Sequence, residues 1–329
     1  MTLLSIVVPV FHNAPSLPDL YTRFAEIAER NPDDTFEFIF VDDGSKDNSF
    51  AVLSDLAAAD SRTRIVKLSR NFGSNAAILA GLSHARGDAV AAIAADLQDP
   101  PELIHEMIGH WREGRKVILA AREGRDDPGL TSIMADIFYG LFRRFAIKTM
   151  PQRGFDFFLI DRQLVDHVKA IQENNAYLMG LILWLGFDPL VIYYNRRARE
   201  KKYGQSMWTL AKKLKYFVDS FVAFSYVPVR AASLIGISLS VLGLLYAVFV
   251  IITRMIRGIP VEGWTSLMVV LLIVSGAQMI MIGILGEYLW RNLDETRKRP
   301  RFIVERVIEG EEARHEALSK GRGTTEHQP

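Results

Sequence analysis

The chain of 329 residues has room for one large domain or two small ones, and at 49% hydrophobic it is high for a soluble protein and low for a polytopic one, as a soluble domain with a small membrane part would be. Its 39 Lys and Arg against 38 Asp and Glu leave a formal net charge of +1, which argues against a nucleic-acid binder. With no cysteine, disulfides and thiolate metal sites are excluded.

The N-terminus lacks a basic region followed by an apolar stretch, so no cleaved signal is expected. Ser5 to Val10 is a β-branched run that predicts a buried strand, followed by a helix over 16–30 with Ser16 as its N-cap. Strand 36–41, helix 48–59, strand 64–68, helix 75–85 and strand 89–94 continue the alternation. A helix over 101–112 opens on Pro101, whose missing N–H costs nothing in a first turn, and strand 117–121 closes the pattern. Such alternation predicts βαβ units and an α/β, Rossmann-like domain with a mainly parallel sheet.

Past Arg122 the pattern loosens, and the charged stretch from Gly124 to Leu130 predicts a loop. Ser132 to Phe145 and Met207 to Phe224 combine apolar residues with basic ones, as amphipathic helices in a membrane interface do; packing on the domain core is the alternative. Two uncharged runs follow, Ala231 to Thr253 and Gly263 to Gly286. Each is long enough to cross a bilayer, which takes about 20 residues, although buried core helices satisfy the same pattern. Basic residues crowd at Arg196–Lys202, Lys212–Lys215 and Arg297–Arg301, whereas the intervening loop sets Arg254 and Arg257 against Glu262. The positive-inside rule places the domain and the tail in the cytoplasm. The expected organisation is a domain over 1–206, a juxtamembrane helix over 207–229 and a hairpin over 230–290 with spans near 231–253 and 264–287. A tail over 291–329 follows, disordered from about Glu309.

Ligands of open parallel sheets bind outside the carboxyl ends of the strands. Three clusters fall there. Pro9 and Phe11 after the first strand can wall a flat base, and Asp42-Asp43-Gly44-Ser45 after the second can accept hydrogen bonds from a base or ribose. A solvated turn with Asp47 or Asn48 capping the next helix is the plainer reading of that cluster. After the fourth strand, Asp96 and Gln98 offer hard oxygens suited to Mg²⁺ or Mn²⁺ shared with a diphosphate, while Asp99 before two prolines reads as a helix start.

Val8-Pro9-Val10, Asp42-Asp43-Gly44-Ser45, Arg70-Asn71-Phe72-Gly73 and Ala95-Asp96-Leu97-Gln98-Asp99-Pro100-Pro101 resemble the inverting family 2 glycosyltransferases of GT-A fold. The run Gly154 to Arg162, Gly186-Phe187 and the terminal hairpin narrow the resemblance to the polyprenyl-phosphate branch, that of dolichyl-phosphate mannose synthase and the bacterial bactoprenol glucosyltransferases. The resemblance implies a nucleotide sugar as donor, a polyprenyl phosphate lipid as acceptor, a divalent cation, and a bacterial inner membrane location with the catalytic domain in the cytoplasm. By position, Pro9, Phe11, Asp42, Asp43 and Asn71 would line the nucleotide site, and Asp96, with Gln98 beside it, would hold the metal. Arg122 and Arg125 would face phosphates, Asp156 would stand near the reacting centre, and Arg197, Arg199 and Ser206 would close over the diphosphate.

Three features depart from the family pattern. Phe11-His12-Asn13-Ala14 carries no carboxylate, Ala94 replaces the first acid of an Asp-x-Asp pair, and Gly204-Gln205-Ser206-Met207 is uncharged where lysine is frequent. A non-catalytic membrane adaptor on a degenerate transferase fold and a processive polysaccharide synthase are therefore the competing readings. The apolar patch from Phe217 to Phe224 serves either lipid or a neighbouring subunit of a homo-oligomer.

Overall fold

The computed structural model describes residues 1–123, 140, 142–144, 147–152, 154–171, 173, 177–195, 227–257 and 263–310. They fall into two compact units, one formed by 1–217 with 300–329 and the other by 218–299.

The first unit opens with the expected alternation: β1 (Thr2–Val10), α1 (Leu17–Glu29), β2 (Asp34–Asp42), α2 (Ser49–Ala59), β3 (Thr63–Leu68), α3 (Ser74–His84), β4 (Ala89–Ala92), α4 (Leu103–Arg112) and β5 (Val117–Arg122). The sheet does not close at β5 as the sequence pattern implies. It gains β6 (Phe155–Asp161), β7 (Pro189–Tyr194) and β8 (Val304–Glu309), with α5 (Arg162–Ala170) and α6 (Leu178–Trp184) between β6 and β7. The eight strands lie in the order β7-β5-β6-β4-β1-β2-β3-β8. Pairings among β1, β2, β3 and β4, and of β5 with β7, are parallel; β6 runs antiparallel to both β4 and β5, and β8 antiparallel to β3.

Helices cover both faces, so successive residues of the central strands are buried alike; Val7 and Val8 are both fully buried, as are Phe38, Ile39, Phe40 and Val41. Phe24 of α1 stacks on Phe38 at 5.7 Å between ring centroids. On the other face α3 comes so close that a Cβ on Gly81 would stand 2.2 Å from the Val7 side chain, which fixes a glycine there. Ser16 precedes α1 as expected but does not cap it; its hydroxyl donates instead to the Ala95 carbonyl at 2.7 Å, tying the start of α1 to the loop after β4.

At the opposite end of the strands lies a buried polar network. Glu37 accepts from the Ser5 hydroxyl at 2.6 Å and the Arg86 amide at 2.6 Å, and pairs with Arg64 at 3.3 Å. Glu309, at the end of β8, completes it by pairing with Arg86 at 2.7 Å and Arg64 at 3.4 Å. The stretch after the hairpin, read from sequence as a tail, thus returns to the sheet. Its last strand ends on Glu309, the residue taken as the onset of disorder.

Of the expected amphipathic segments, 207–224 lies outside the described residues, as does most of 132–145. Within the latter, Phe142 is buried and meets the Tyr177 ring edge-on at 6.2 Å, so this end packs on the domain rather than offering Phe142 to lipid. The second unit holds α7 (Val227–Arg257) and α8 (Trp264–Thr296). Both are long and apolar enough to cross a membrane, over Val229–Thr253 and Ser266–Thr296. Their apolar side chains are exposed, Leu234, Phe249 and Leu267 among them, unlike those of core helices in a water-soluble protein. Past the uncharged run of α8, Glu287 pairs with Arg291 at 2.9 Å.

Candidate active site

The parallel strands deliver their carboxyl ends to one rim, and β6, running the other way, brings its first residues there. Phe155 is paired with Ala121 near the end of β5, and Arg122 with Tyr194 at the end of β7. The rim therefore collects Pro9 to Asn13, Asp42 to Ser45, Ser69 to Gly73, Ala95 to Asp99, Arg122, Asp156 and Tyr194.

The loops after β1 and β2 are laced together. His12 adopts a left-handed backbone, φ 56°, and stacks on Phe11 at 4.1 Å between ring centroids. Its amide donates to the Ser45 hydroxyl at 3.2 Å, and its Nε2 accepts from the Lys46 amide at 3.1 Å. Phe11 is half-buried beside Pro9, as a wall for a planar ligand requires.

Asp42 and Asp43 stand in different environments. Asp42 is fully buried; its Oδ1 accepts from the Ser45 amide at 3.1 Å, and its Oδ2 has no hydrogen-bond partner among the described residues. Burial raises its pKa, opposed by the Ser45 hydrogen bonds and the charge of Lys67. Asp43, expected to face the nucleotide, spends both oxygens on the loop after β3, accepting from the Phe72 amide at 2.7 Å and the Gly73 amide at 2.9 Å. It is thus a clamp that shapes the loop carrying exposed Asn71. Gly44, φ 69°, lets the two loops touch: a Cβ there would lie 2.6 Å from the Arg70 backbone. Of the plainer reading, Asp47 does accept from the Ser49 amide at 3.1 Å at the start of α2.

Burial pushes the Asp43 carboxyl up to about 6, against the pull of the two amides. The folded state then holds a proton that the unfolded chain has lost between the ordinary value of 3.8 and about 6. Stability from this group is full below 3.8 and declines as pH rises through that window, by about 3 kcal/mol at roughly 1.4 kcal/mol per unit. Asp43→Asn cannot titrate, so urea unfolding between pH 4 and pH 7 should show a shallower loss for the variant than for the wild type. An unchanged slope would assign the effect to other groups.

Asp96 is buried, and its Oδ1 accepts from the Gln98 amide at 3.3 Å across Leu97, whose backbone is left-handed at φ 56°. A branched side chain in that region is strained by about 1–3 kcal/mol, and such strain gathers at working sites. Asp96 and Gln98 offer hard oxygens that fit Mg²⁺ or Mn²⁺. No group of three or more His, Cys, Asp or Glu suited to a metal occurs among the described residues. A cation here would complete its shell with water and substrate phosphate oxygens, as Mg²⁺ commonly does.

Asp99 does not start a helix: α4 begins at Leu103, and Asp99 is a buried carboxylate accepting from the Tyr194 hydroxyl at 2.5 Å. Arg122, expected to face phosphates, is already engaged, its Nη2 donating to Asp156 Oδ2 at 2.7 Å. Burial by itself would lower the Arg122 pKa, yet the charges of Asp156 and Asp99, with Tyr194, hold it above its ordinary value. Burial and the Asp99 charge raise the Tyr194 phenol, opposed by Arg122, so it remains a donor. Asp156 itself is exposed, its side chain 56% accessible beside an Arg122 side chain at 13%. Tyr194 and Asp99 are the site residues that sequence reasoning missed; they lie 95 positions apart, and no local pattern joins them. Arg125, Arg197, Arg199 and Ser206 lie outside the described residues.

The model of Glycosyl transferase family 2 matches residues 5–171, which contain every rim cluster except Tyr194. The chain is 38% identical to an uncharacterised glycosyltransferase, YkcC, of Bacillus subtilis, over 92% of this chain and 93% of that one. It is 35% identical to the prophage-derived bactoprenol glucosyl transferase of Shigella flexneri, over 93% of this chain and 99% of that one. Among solved structures, mannosyl-3-phosphoglycerate synthase from Rubrobacter xylanophilus shows a slighter likeness, at 19% identity and a TM-score of 0.47 over 66% of this chain and 71% of that one. Between the transferase and adaptor readings, the sequence relatives decide for catalysis: this chain belongs to Glycosyl transferase family 2 and is a glycosyltransferase.

Proposed function

We propose that the enzyme transfers a hexosyl group, glucosyl in the first instance, from a uridine diphosphate sugar to polyprenyl phosphate at the cytoplasmic face of the membrane. The observation that carries this is the 35% identity to a bactoprenol glucosyl transferase over 93% of the chain, the two long apolar helices included. An acceptor with an isoprenoid tail gives those helices a purpose that a water-soluble acceptor would not.

In this reading Pro9 and Phe11 wall the base, and Asp42 accepts one of the nucleoside's N–H or O–H groups once the loops after β1 and β2 part to expose its buried Oδ2. Asn71 is presented by the loop that Asp43 holds. Asp96 and Gln98 hold a divalent cation, which neutralises charge on the departing diphosphate when bound. Arg125, Arg199 and Ser206 belong to the same diphosphate grip.

An oxygen of the acceptor phosphate attacks the anomeric carbon as the bond to the diphosphate breaks, and the nucleoside diphosphate leaves with the electron pair, inverting the configuration. The acceptor's second pKa is about 6, so the nucleophile is already ionised near neutral pH and needs no strong base. Asp156 orients the acceptor and stabilises the positive charge that develops on the sugar, while placement of the two substrates supplies much of the acceleration. Purified protein given polyprenyl phosphate, Mg²⁺ and labelled UDP-glucose should form a glycolipid that partitions into organic solvent. Absence of product with UDP-glucose and every other common nucleotide sugar would refute the reading.

A further inference from the structure

The four side chains at the far end of the rim form one continuous assembly. Tyr194 donates to Asp99 at 2.5 Å, interacts with Arg122, and lies opposite Arg122 in the β5–β7 register; Arg122 in turn holds Asp156 at 2.7 Å. Asp99, Tyr194 and Arg122 are largely shielded from water and Asp156 faces it. The guanidinium thus feels the charge of two carboxylates, one inside the protein and one at its surface. A buried carboxylate draws strongly on any nearby cation unless another donor occupies it. The Tyr194 hydroxyl is such a donor. While it occupies Asp99 Oδ1, the Arg122 fork can remain aimed at Asp156.

We propose that Tyr194 is a positioning residue for the transfer step: by occupying Asp99 it keeps Arg122 turned toward Asp156 and so fixes Asp156 at the angle the acceptor needs. Asp99 lies one residue beyond Gln98, so the same contact joins the diphosphate loop to the acceptor side of the site. Without the hydroxyl, Asp99 competes for Arg122 and Asp156 swings loose. The inference rests on the transferase reading above and deepens it.

The test is Tyr194→Phe, which keeps the ring and its packing, with Asp99→Asn as the second variant. Loss of a hydrogen bond to a charged group should lower kcat by about tenfold or more. The donor KM and UDP affinity by calorimetry should stay within about twofold, since no nucleotide contact changes. The double variant should lose less than Tyr194→Phe alone, because asparagine at 99 carries no charge to draw Arg122 away. Independently of activity, phenylglyoxal should modify Arg122 several times faster in Tyr194→Phe, read by mass spectrometry. An unchanged kcat, additive losses or an unchanged Arg122 labelling rate would each overturn the proposal. Wild-type protein without glycolipid product would instead count against the functional reading, and the labelling rates would still decide whether Tyr194 holds Arg122.

Discussion

Asp156→Asn should cut glycosyl transfer by about 10²- to 10³-fold while leaving nucleotide affinity within a factor of two. The substitution keeps the shape and still offers an oxygen to Arg122, so the contact seen at 2.7 Å survives in weakened form. In the role proposed for Asp156, what disappears is a negative charge beside the anomeric carbon, and with it stabilisation that exists only as the sugar turns cationic. Folding should change little, because the Asp156 side chain is 56% exposed and asparagine still offers an oxygen to the shielded Arg122, which keeps the charge of Asp99 nearby. Single-turnover transfer and calorimetric titration with UDP read the two quantities separately. A variant that loses nucleotide affinity instead would place Asp156 in the donor site.

Asp96→Ala should be comparably damaging for a different reason, lowering transfer by about 10²- to 10³-fold through loss of charge neutralisation at the leaving group. Ala94 stands where the family pattern has a further acid, so Asp96 is the one acidic side chain that the Ala94–Gln98 loop offers a cation. If the proposed metal site is right, wild-type protein should bind UDP more tightly with Mg²⁺ than without it, and removing Asp96 should abolish that increment, measured by titrating UDP with and without the cation. Retention of that increment would move the metal elsewhere. The turn itself also stands to suffer, since Asp96 accepts from the Gln98 amide across the strained Leu97; far-ultraviolet circular dichroism and thermal melting distinguish this from a purely chemical loss.

The parts of the domain legible in sequence are those set by local pattern. β1 to β5 and their helices announce themselves through short apolar runs, helix starts and turn residues, and the rim position of Asp42, Asp43 and Asp96 follows from parallel-sheet geometry alone. Long-range pairing is where legibility ends. The aromatic run from Phe155 to Asp161 was visible as a motif, but nothing in it says that it inserts between β4 and β5. Val304 to Glu309 reads as a charged tail; only Glu309 meeting Arg64 and Arg86 reveals a strand. Individual roles shifted for the same reason. Asp42 and Asp43 look equivalent in sequence, yet the Phe72 and Gly73 amides claim one of them and burial isolates the other. Asp99 looked like a helix start because its partner, Tyr194, belongs to a strand formed much later in the chain.

That last strand, β8, imposes an order on biogenesis. Translation delivers it only after both long apolar helices, so the outer edge of β3 emerges from the ribosome with its N–H and C=O groups unmatched and waits on the order of ten seconds or more at ordinary elongation rates. The catalytic half cannot finish folding before the greasy half has been made. A recombinant fragment stopped ahead of the helices would keep that edge bare and leave Arg64 and Arg86 without Glu309, inviting strand-to-strand aggregation. Supplying β8 as a separate peptide to such a fragment should restore the edge without interrupting the Ser69–Gly73 loop that follows β3.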